Sequence, residues 1–170
     1  MEKDAVDDIL DQWSEERPEL NTAALGVVIR VMTLNRTFAR QAARALEPLG
    51  LELFEYDVLS ALRRQGEPFA LPATGLARET ELSTGAMTNR IDRLEDRGLV
   101  SRQHDKEDRR SVIVRLTAKG RTTIDEAIHY RLDAAKNSLK DLKAGQRREL
   151  ADLLRAVVLS AERDTKKAAR

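Results

Sequence analysis

Asp108 and Arg110 stand two residues apart in the charged run His104-Asp105-Lys106-Glu107-Asp108-Arg109-Arg110. An acid two residues before an arginine can hold the guanidinium in one orientation. A held arginine suits the narrow, negative minor groove of DNA better than a free one. Upstream, Ser83–Arg97 offers a second surface of the same kind. On a helical wheel Met87, Ile91 and Leu94 form the buried side. Gly85, Asn89, Asp92, Arg93 and Asp96 lie opposite, with Thr84 and Thr88 at the shoulder. Ser83 is a good N-cap. Gly85 lets a backbone approach, Asn89 suits adenine N6 and N7, and Thr88 suits a base edge or a phosphate. Asp92 and Asp96 would repel phosphates, so the C-terminal half of this helix is expected to leave a groove. Catalytic chemistry has poorer material. The two histidines, His104 and His129, belong to no spacing that a mechanism needs. The absence of cysteine excludes disulfides, thiolate metal sites and cysteine nucleophiles. Neither catalytic residues, nor a metal site, nor a cofactor is expected.

The elements that must position these residues follow from periodicity. Val6, Ile9, Leu10 and Trp13 mark one face of a short helix over Ala5–Glu16, closed by Pro18. Asn21 or Thr22 caps a long helix with the stripe Leu25, Val28, Ile29, Met32 and on to Leu46, stopped at Pro48-Leu49-Gly50. A third helix runs from about Glu52 to Gln65, with Phe54, Val58, Ala61 and Leu62 facing inward. Phe69-Ala70-Leu71 is a short extended piece. A compact helix then runs from Pro72, at its first position, to Glu79. After the Ser83 helix, Gly98 closes the turn. Leu99–His104 and Ser111–Leu116 read as two strands around the charged loop. Two further helices follow. The first carries Ile124, Ala127, Ile128, Leu132, Ala135, Leu139 and Leu142, and the second Leu150, Leu153, Leu154, Val157, Val158 and Ala161. The last stripe lies at a chain end and is expected to form half of a dimer interface.

The composition agrees with a mainly α chain with a small β-hairpin (α+β): 35% charged, 4% aromatic, eight Gly and four Pro in 170 residues. No apolar run reaches the length of a membrane span. The acidic start lacks the basic region of a signal peptide, and a cytoplasmic protein without a membrane partner is expected. The formal net charge of +1 is a cancellation. Residues 1–20 come to −6, residues 83–121 to +4, and residues 122–170 to +3. Positive charge therefore gathers around the candidate groove-reading helix and its hairpin.

Two short helices joined by a tight turn, then two strands around a charged loop, is the order of a winged helix-turn-helix, whose second helix enters the major groove. Asp108-Arg109-Arg110-Ser111 followed by Leu116-Thr117-Ala118-Lys119-Gly120 resembles the wing signature of the MarR family of bacterial transcription regulators. The run Met87-Thr88-Asn89-Arg90-Ile91-Asp92-Arg93-Leu94-Glu95-Asp96-Arg97-Gly98-Leu99-Val100 is similar to its recognition helix and first wing strand. The resemblance spans about residues 22–165. It implies a homodimer joined by the first long helix and the last two helices, bound to double-stranded DNA at a palindromic operator. It also implies that Arg110 enters the minor groove, steered by Asp108. Residues 1–20 would form an added helix, 21–50 and 119–170 the dimerisation region, and 51–118 the DNA-binding region. The Trp-bearing front helix, followed by Glu16-Arg17-Pro18-Glu19-Leu20, resembles the urate-responsive branch of the family. On that resemblance Trp13, Asp57, Arg64, Arg90 and Arg102 are the ligand-response residues. Substituting Trp13 or Arg102 would then leave DNA binding largely intact and weaken the response.

The expected DNA-contacting set is thus Ser83, Thr84, Gly85, Thr88, Asn89, Arg93, Asp108, Arg109 and Arg110. The expected function is a ligand-relieved repressor whose effector is urate or a related purine or aromatic anion. Two alternatives stand beside it: a regulator of the same family answering another phenolic or antibiotic ligand, and a helical interaction protein without DNA binding.

Overall fold

The computed structural model describes residues 2–80, 82–104 and 111–168. Asp108, Arg109 and Arg110 lie outside the described residues. Contacts divide the chain into two compact units, Met1–Ala134 and Ala135–Arg170.

In the first unit, α1 (Ala5–Glu16) starts where Asp4 accepts hydrogen bonds from the backbone N–H groups of Val6 and Asp7, at 2.9 and 3.0 Å. The Asp7 carboxylate accepts from the Asp4 N–H in return. This reciprocal box satisfies donors that a helix start leaves open. α1 lies on α2 (Ala23–Leu46), and Gly26 is what permits the approach: a Cβ there would sit 2.7 Å from Leu10 Cδ1. Arg30 on α2 then reaches back across Asp4 and Asp7, at 2.8 and 2.6 Å. A 3-10 turn, Glu47–Leu49, ends at Gly50 with φ 58°, a left-handed conformation that glycine adopts without steric cost.

α3 (Leu53–Arg64) is followed by β1 (Ala70–Pro72) and α4 (Ala73–Glu79). Pro72 is the last residue of β1 and caps α4 rather than opening it as its first helical residue. α5 (Thr84–Asp96) begins at Ser83, whose hydroxyl accepts from the Ala86 N–H, and Gly98 with φ 68° turns the chain away. β2 (Val100–His104) and β3 (Val112–Leu116) pair antiparallel. The extended piece before α4 joins them, giving a three-stranded sheet in the order β1-β3-β2. A two-stranded wing was the expectation. Three residues are too short to show a strand's alternation, so β1 becomes visible only when Leu71 pairs with Val114. The core gathers Val58, Leu59 and Leu62 from α3, Leu76 from α4, Met87, Ile91 and Leu94 from α5, and Leu99, Val114 and Ile124, all essentially buried. The mainly helical, winged helix-turn-helix architecture is the expected one.

The run Leu116-Thr117-Ala118-Lys119-Gly120 has a mechanical reason. Thr117 Oγ1 accepts from the Gly120 N–H at 2.9 Å, capping α6 (Ala118–Ser138), and donates to Gly98 O at 2.8 Å. Lys119 Nζ donates to Arg97 O at 2.8 Å. Gly120 packs so closely on β2's approach that a Cβ would lie 1.9 Å from Leu99 O. The segment is a joint that fixes α6 to the C-terminal end of α5.

The second unit holds the end of α6 and α7 (Ala144–Ala168). Leu139 and Leu142, expected inside the first of the last two helices, lie in the turn after it, where Leu142 N–H donates to Leu139 O at 3.2 Å. α7 carries Leu153, Leu154, Val157 and Val158 exposed. No helix among the described residues is long and apolar enough to cross a membrane.

Candidate nucleic-acid interface and effector cavity

The outer face of α5 is laid out as the wheel implies. Ser83, Thr84, Gly85, Thr88, Asn89 and Arg93 are all exposed, while Met87, Ile91 and Leu94 hold the helix from beneath. Open space surrounds the position of a Cβ at Gly85. Thr88 differs in detail: its hydroxyl donates to Thr84 O at 3.0 Å, leaving its lone pairs and methyl to face outward. Arg93 is turned along the surface toward α3, 5.9 Å from the Phe54 ring centroid and 3.9 Å from Glu52. Arg90 stacks on the same ring at 4.7 Å, so Phe54 is shared by two arginines of α5. Such stacking costs a guanidinium little hydration and fixes its plane.

Arg102 on β2 is the most heavily engaged of the expected ligand residues. Its Nη2 lies 2.5 Å from Asp92 Oδ1 and donates to Thr88 O at 3.2 Å, and its Nη1 is 3.6 Å from Glu95 Oε2. Its backbone N–H donates to Glu95 Oε1 at 3.0 Å. Asp92 therefore does not stand as a bare charge at the DNA-facing side; Arg102 neutralises it. The pair welds the wing's first strand to α5.

Asp57 and Arg64 come together in one cavity of about 430 Å³, lined also by Tyr56, Ser60, Glu79 and Thr80. Asp57, Ser60 and Arg64 are spaced three and four apart, on one face of α3. Arg64 Nη2 is 3.1 Å from Glu79 Oε2, which spans the cavity from α3 to α4. Asp57 is exposed, because it projects into the concavity rather than into the core. Partial desolvation there still pushes its carboxyl pKa up, against the pull of Arg131, Arg90 and Arg64 in that order. The structure thus groups Asp57 and Arg64, with Arg90 within electrostatic reach. Trp13 and Arg102 are not in the cavity wall. Trp13 is 44% exposed on α1.

Three functional candidates escape a reading of spacing alone. Glu55 is buried and pairs with Arg97, the C-cap residue of α5, while its Oε2 accepts from the Glu52 N–H at 2.9 Å. Glu52-x-x-Glu55 signals the cap, but nothing local signals the tie to α5. Glu79 closes the cavity from another helix and leaves no mark in the sequence. Arg131 did leave one: it stands seven residues after Ile124, on the apolar side of α6.

The MarR family model matches residues 51–112, from the start of α3 into β3. The HTH-type transcriptional regulator PecS of Dickeya dadantii is 28% identical over 149 residues, 88% of this chain and 90% of that one. The HTH-type transcriptional repressor NicR of Pseudomonas putida is 30% identical over 133 residues, 76% of this chain and 82% of its own. A crystal structure of a mutant MarR from E. coli complexed with operator DNA aligns with a TM-score of 0.69 at 26% identity, covering 85% of this chain and 96% of that one. A helix-turn-helix with its polar face outward, a sheet pinned to it through Arg102, and relatives matched along most of their length agree on one assignment: the chain belongs to the MarR family of transcriptional regulators.

Proposed function

We propose that the protein is a homodimeric repressor that holds a palindromic operator and releases it when urate or a related planar anion binds. The observation that carries this reading is the cavity beside Asp57, with Arg64 in its wall, Arg90 and Arg131 within electrostatic reach, and its main wall on the helix that backs α5. Arg90 lies over the Phe54 ring and within electrostatic reach of Asp57. An anion entering beside Arg64 competes with Asp57 for these cations, and any shift of Arg90 is a shift on α5 itself. A coupling of about 1–3 kcal/mol between the two sites is typical of such regulators. The presence of α1 with Trp13, on which the resemblance to the urate-responsive branch rests, supports the urate assignment.

In this reading Ser83, Thr84, Gly85, Thr88 and Asn89 meet base edges and the adjacent backbone in the major groove, with Arg93 on a flanking phosphate. Asp108, Arg109 and Arg110 serve the wing, and Arg110 takes the minor groove. Residues 51–118 are the DNA-binding region, with α1 (within residues 1–20) as an added sensor element. Residues 21–50 and 119–170 make the dimer. Exposed Leu25, Val28 and Met32 on α2, and the exposed stripe of α7, are apolar surface that a second copy would cover. The two recognition helices would then stand about one DNA turn apart. The place of action is the cytoplasm, on the nucleoid.

The test is a fluorescence-anisotropy titration of the operator-bound protein with urate, xanthine and salicylate. Release at the lowest concentration by urate is expected; retention of the operator at saturating urate would overturn the urate reading. Trp13 and Arg102 standing outside the cavity favour a second reading, a regulator of the same family that answers another phenolic or antibiotic ligand. Release by salicylate alone would select it.

A further inference from the structure

Helices α3 and α6 are tied by Arg63 and Asp125, whose Nε–Oδ1 distance is 2.6 Å. Tyr56 lies seven residues before Arg63, on the same face of α3, and it is Tyr56 that Arg131 of α6 meets. Among the described residues its neighbour Asp57 forms no ion pair, although of the cations acting on it Arg131 exerts the largest electrostatic pull. Arg131 instead lies over the Tyr56 ring, 5.4 Å from its centroid, and its Nε is buried without an acceptor. A buried donor left unmade is costly, and native structures keep few of them. Tyr56 and Asp57 both line the cavity.

The charges around the cavity can be set against one another. Arg64, Arg90 and Arg131 are the cations that act on Asp57, and Glu79 is already paired with Arg64. Arg90 and Arg131 lie instead over the Phe54 and Tyr56 rings.

We propose that Arg131 is a further specificity-determining residue of the effector cavity, one that selects a planar organic monoanion and accepts its charged oxygen on the guanidinium that Asp57 leaves unpaired. The inference rests on the cavity beside Asp57 being the effector site. It adds a residue of α6, standing behind Tyr56, to a site whose wall is made from α3 and α4. A neutral planar molecule offers the guanidinium no counter-charge.

The experiment is isothermal titration calorimetry of the DNA-free, full-length protein with urate, a monoanion at neutral pH, and with hypoxanthine, its neutral planar counterpart. For Arg131→Gln the expected loss of urate affinity is about tenfold or more, the size of one charge-assisted hydrogen bond. Hypoxanthine affinity should change by less than about twofold, so that the preference for the anion collapses. Arg131→Lys keeps the charge without the planar fork and should recover part of the loss. Unchanged urate affinity in Arg131→Gln would overturn the proposal. So would an equal loss of urate and hypoxanthine, which marks a damaged cavity rather than a lost charge reader. If the Gln variant does not fold, the Lys variant decides: wild-type urate affinity in it overturns the proposal, and a loss of about threefold supports it. If Arg64→Gln abolishes urate binding while Arg131→Gln does not alter it, the effector site stands and the role of Arg131 falls. If the wild-type protein binds no urate and no salicylate, both fall together.

Discussion

Arg102 Nη2 lies 2.5 Å from Asp92 Oδ1, and through this pair β2 holds the outer flank of α5. From the family resemblance alone, Arg102 is a ligand residue whose loss spares DNA binding. The contact argues otherwise. Arg102 is 28% exposed and Asp92 48%, so the pair is only partly screened and rests beside two further contacts, to Glu95 and Thr88 O. A partly exposed pair of this kind contributes about 0.5–1 kcal/mol. Arg102→Gln should therefore weaken operator binding two- to fivefold, and Asp92→Asn should do much the same. The double variant should fall well short of the product of the two. A double-mutant cycle read by operator affinity checks this, and full additivity would show that the pair is not coupled to α5.

Glu55 and Arg97 make a comparable tie on the opposite side of α5, in a more protected place. Glu55 is 3% exposed, and its carboxylate serves both the start of α3 and the cap of α5. Glu55→Gln keeps the shape and removes the charge, leaving Arg97 with a weaker partner. The expected cost is about 1–3 kcal/mol of stability. Urea unfolding at fixed protomer concentration measures it, since dimer formation would otherwise shift the midpoint. Operator affinity should fall alongside, because the end of α5 loses its anchor. A variant with wild-type stability would show that Arg97 alone holds the cap.

How far the residues spell out this arrangement differs between fold and site. Several helix limits were readable because caps are local: Asp4, Ser83 and Gly98 each act within a few residues of themselves, whereas the end of α6 before Leu139 was not. Of the cavity wall, Asp57 and Arg64 came from the family resemblance, and Ser60, on the same face of α3, was not singled out. Nor was Glu79 across from them, because its meeting with Arg64 depends on how α4 packs. The engagement of Arg102 needs the register of β2 against α5, which no spacing encodes. Arg131 is the instructive case. A cation in an apolar stripe asks for a partner, and only the packing of α6 against α3 brings Arg131 over Tyr56 and within reach of Asp57.

Two glycines make opposite predictions. At Gly120 a Cβ would meet Leu99 O at 1.9 Å, a backbone atom that cannot step aside. Gly120→Ala should break the joint between α6 and α5 and cost about 3 kcal/mol or more, or prevent folding. At Gly85 nothing lies within 4 Å of that position. Gly85→Ala should raise stability by about 0.5–1 kcal/mol through helix propensity. It should lower operator affinity if the backbone there approaches DNA. Thermal unfolding and an anisotropy titration on the same sample separate the two effects. Wild-type operator affinity in Gly85→Ala would remove Gly85 from the interface.

The tether of α1 has a defined pH window. Arg30 holds the Asp4 carboxyl at a pKa of about 2, below the ordinary 3.8, chiefly through their direct hydrogen bond. A carboxylate depressed in the folded protein adds its stabilisation above the ordinary value and loses it as pH falls through the folded one. The docking of α1 should therefore be insensitive to pH from neutrality down to about 4, and should weaken progressively below that, toward pH 2. Trp13 lies on the same helix and is the only tryptophan, so its emission reports the event directly. Arg30→Gln removes the tether at every pH and should give at neutrality the emission that the parent protein shows only in acid. High salt should affect the parent in the same direction, because the pair is exposed. An emission spectrum in Arg30→Gln identical to the parent at neutral pH would mean that Leu10 against Gly26, and not the ion pair, keeps α1 in place.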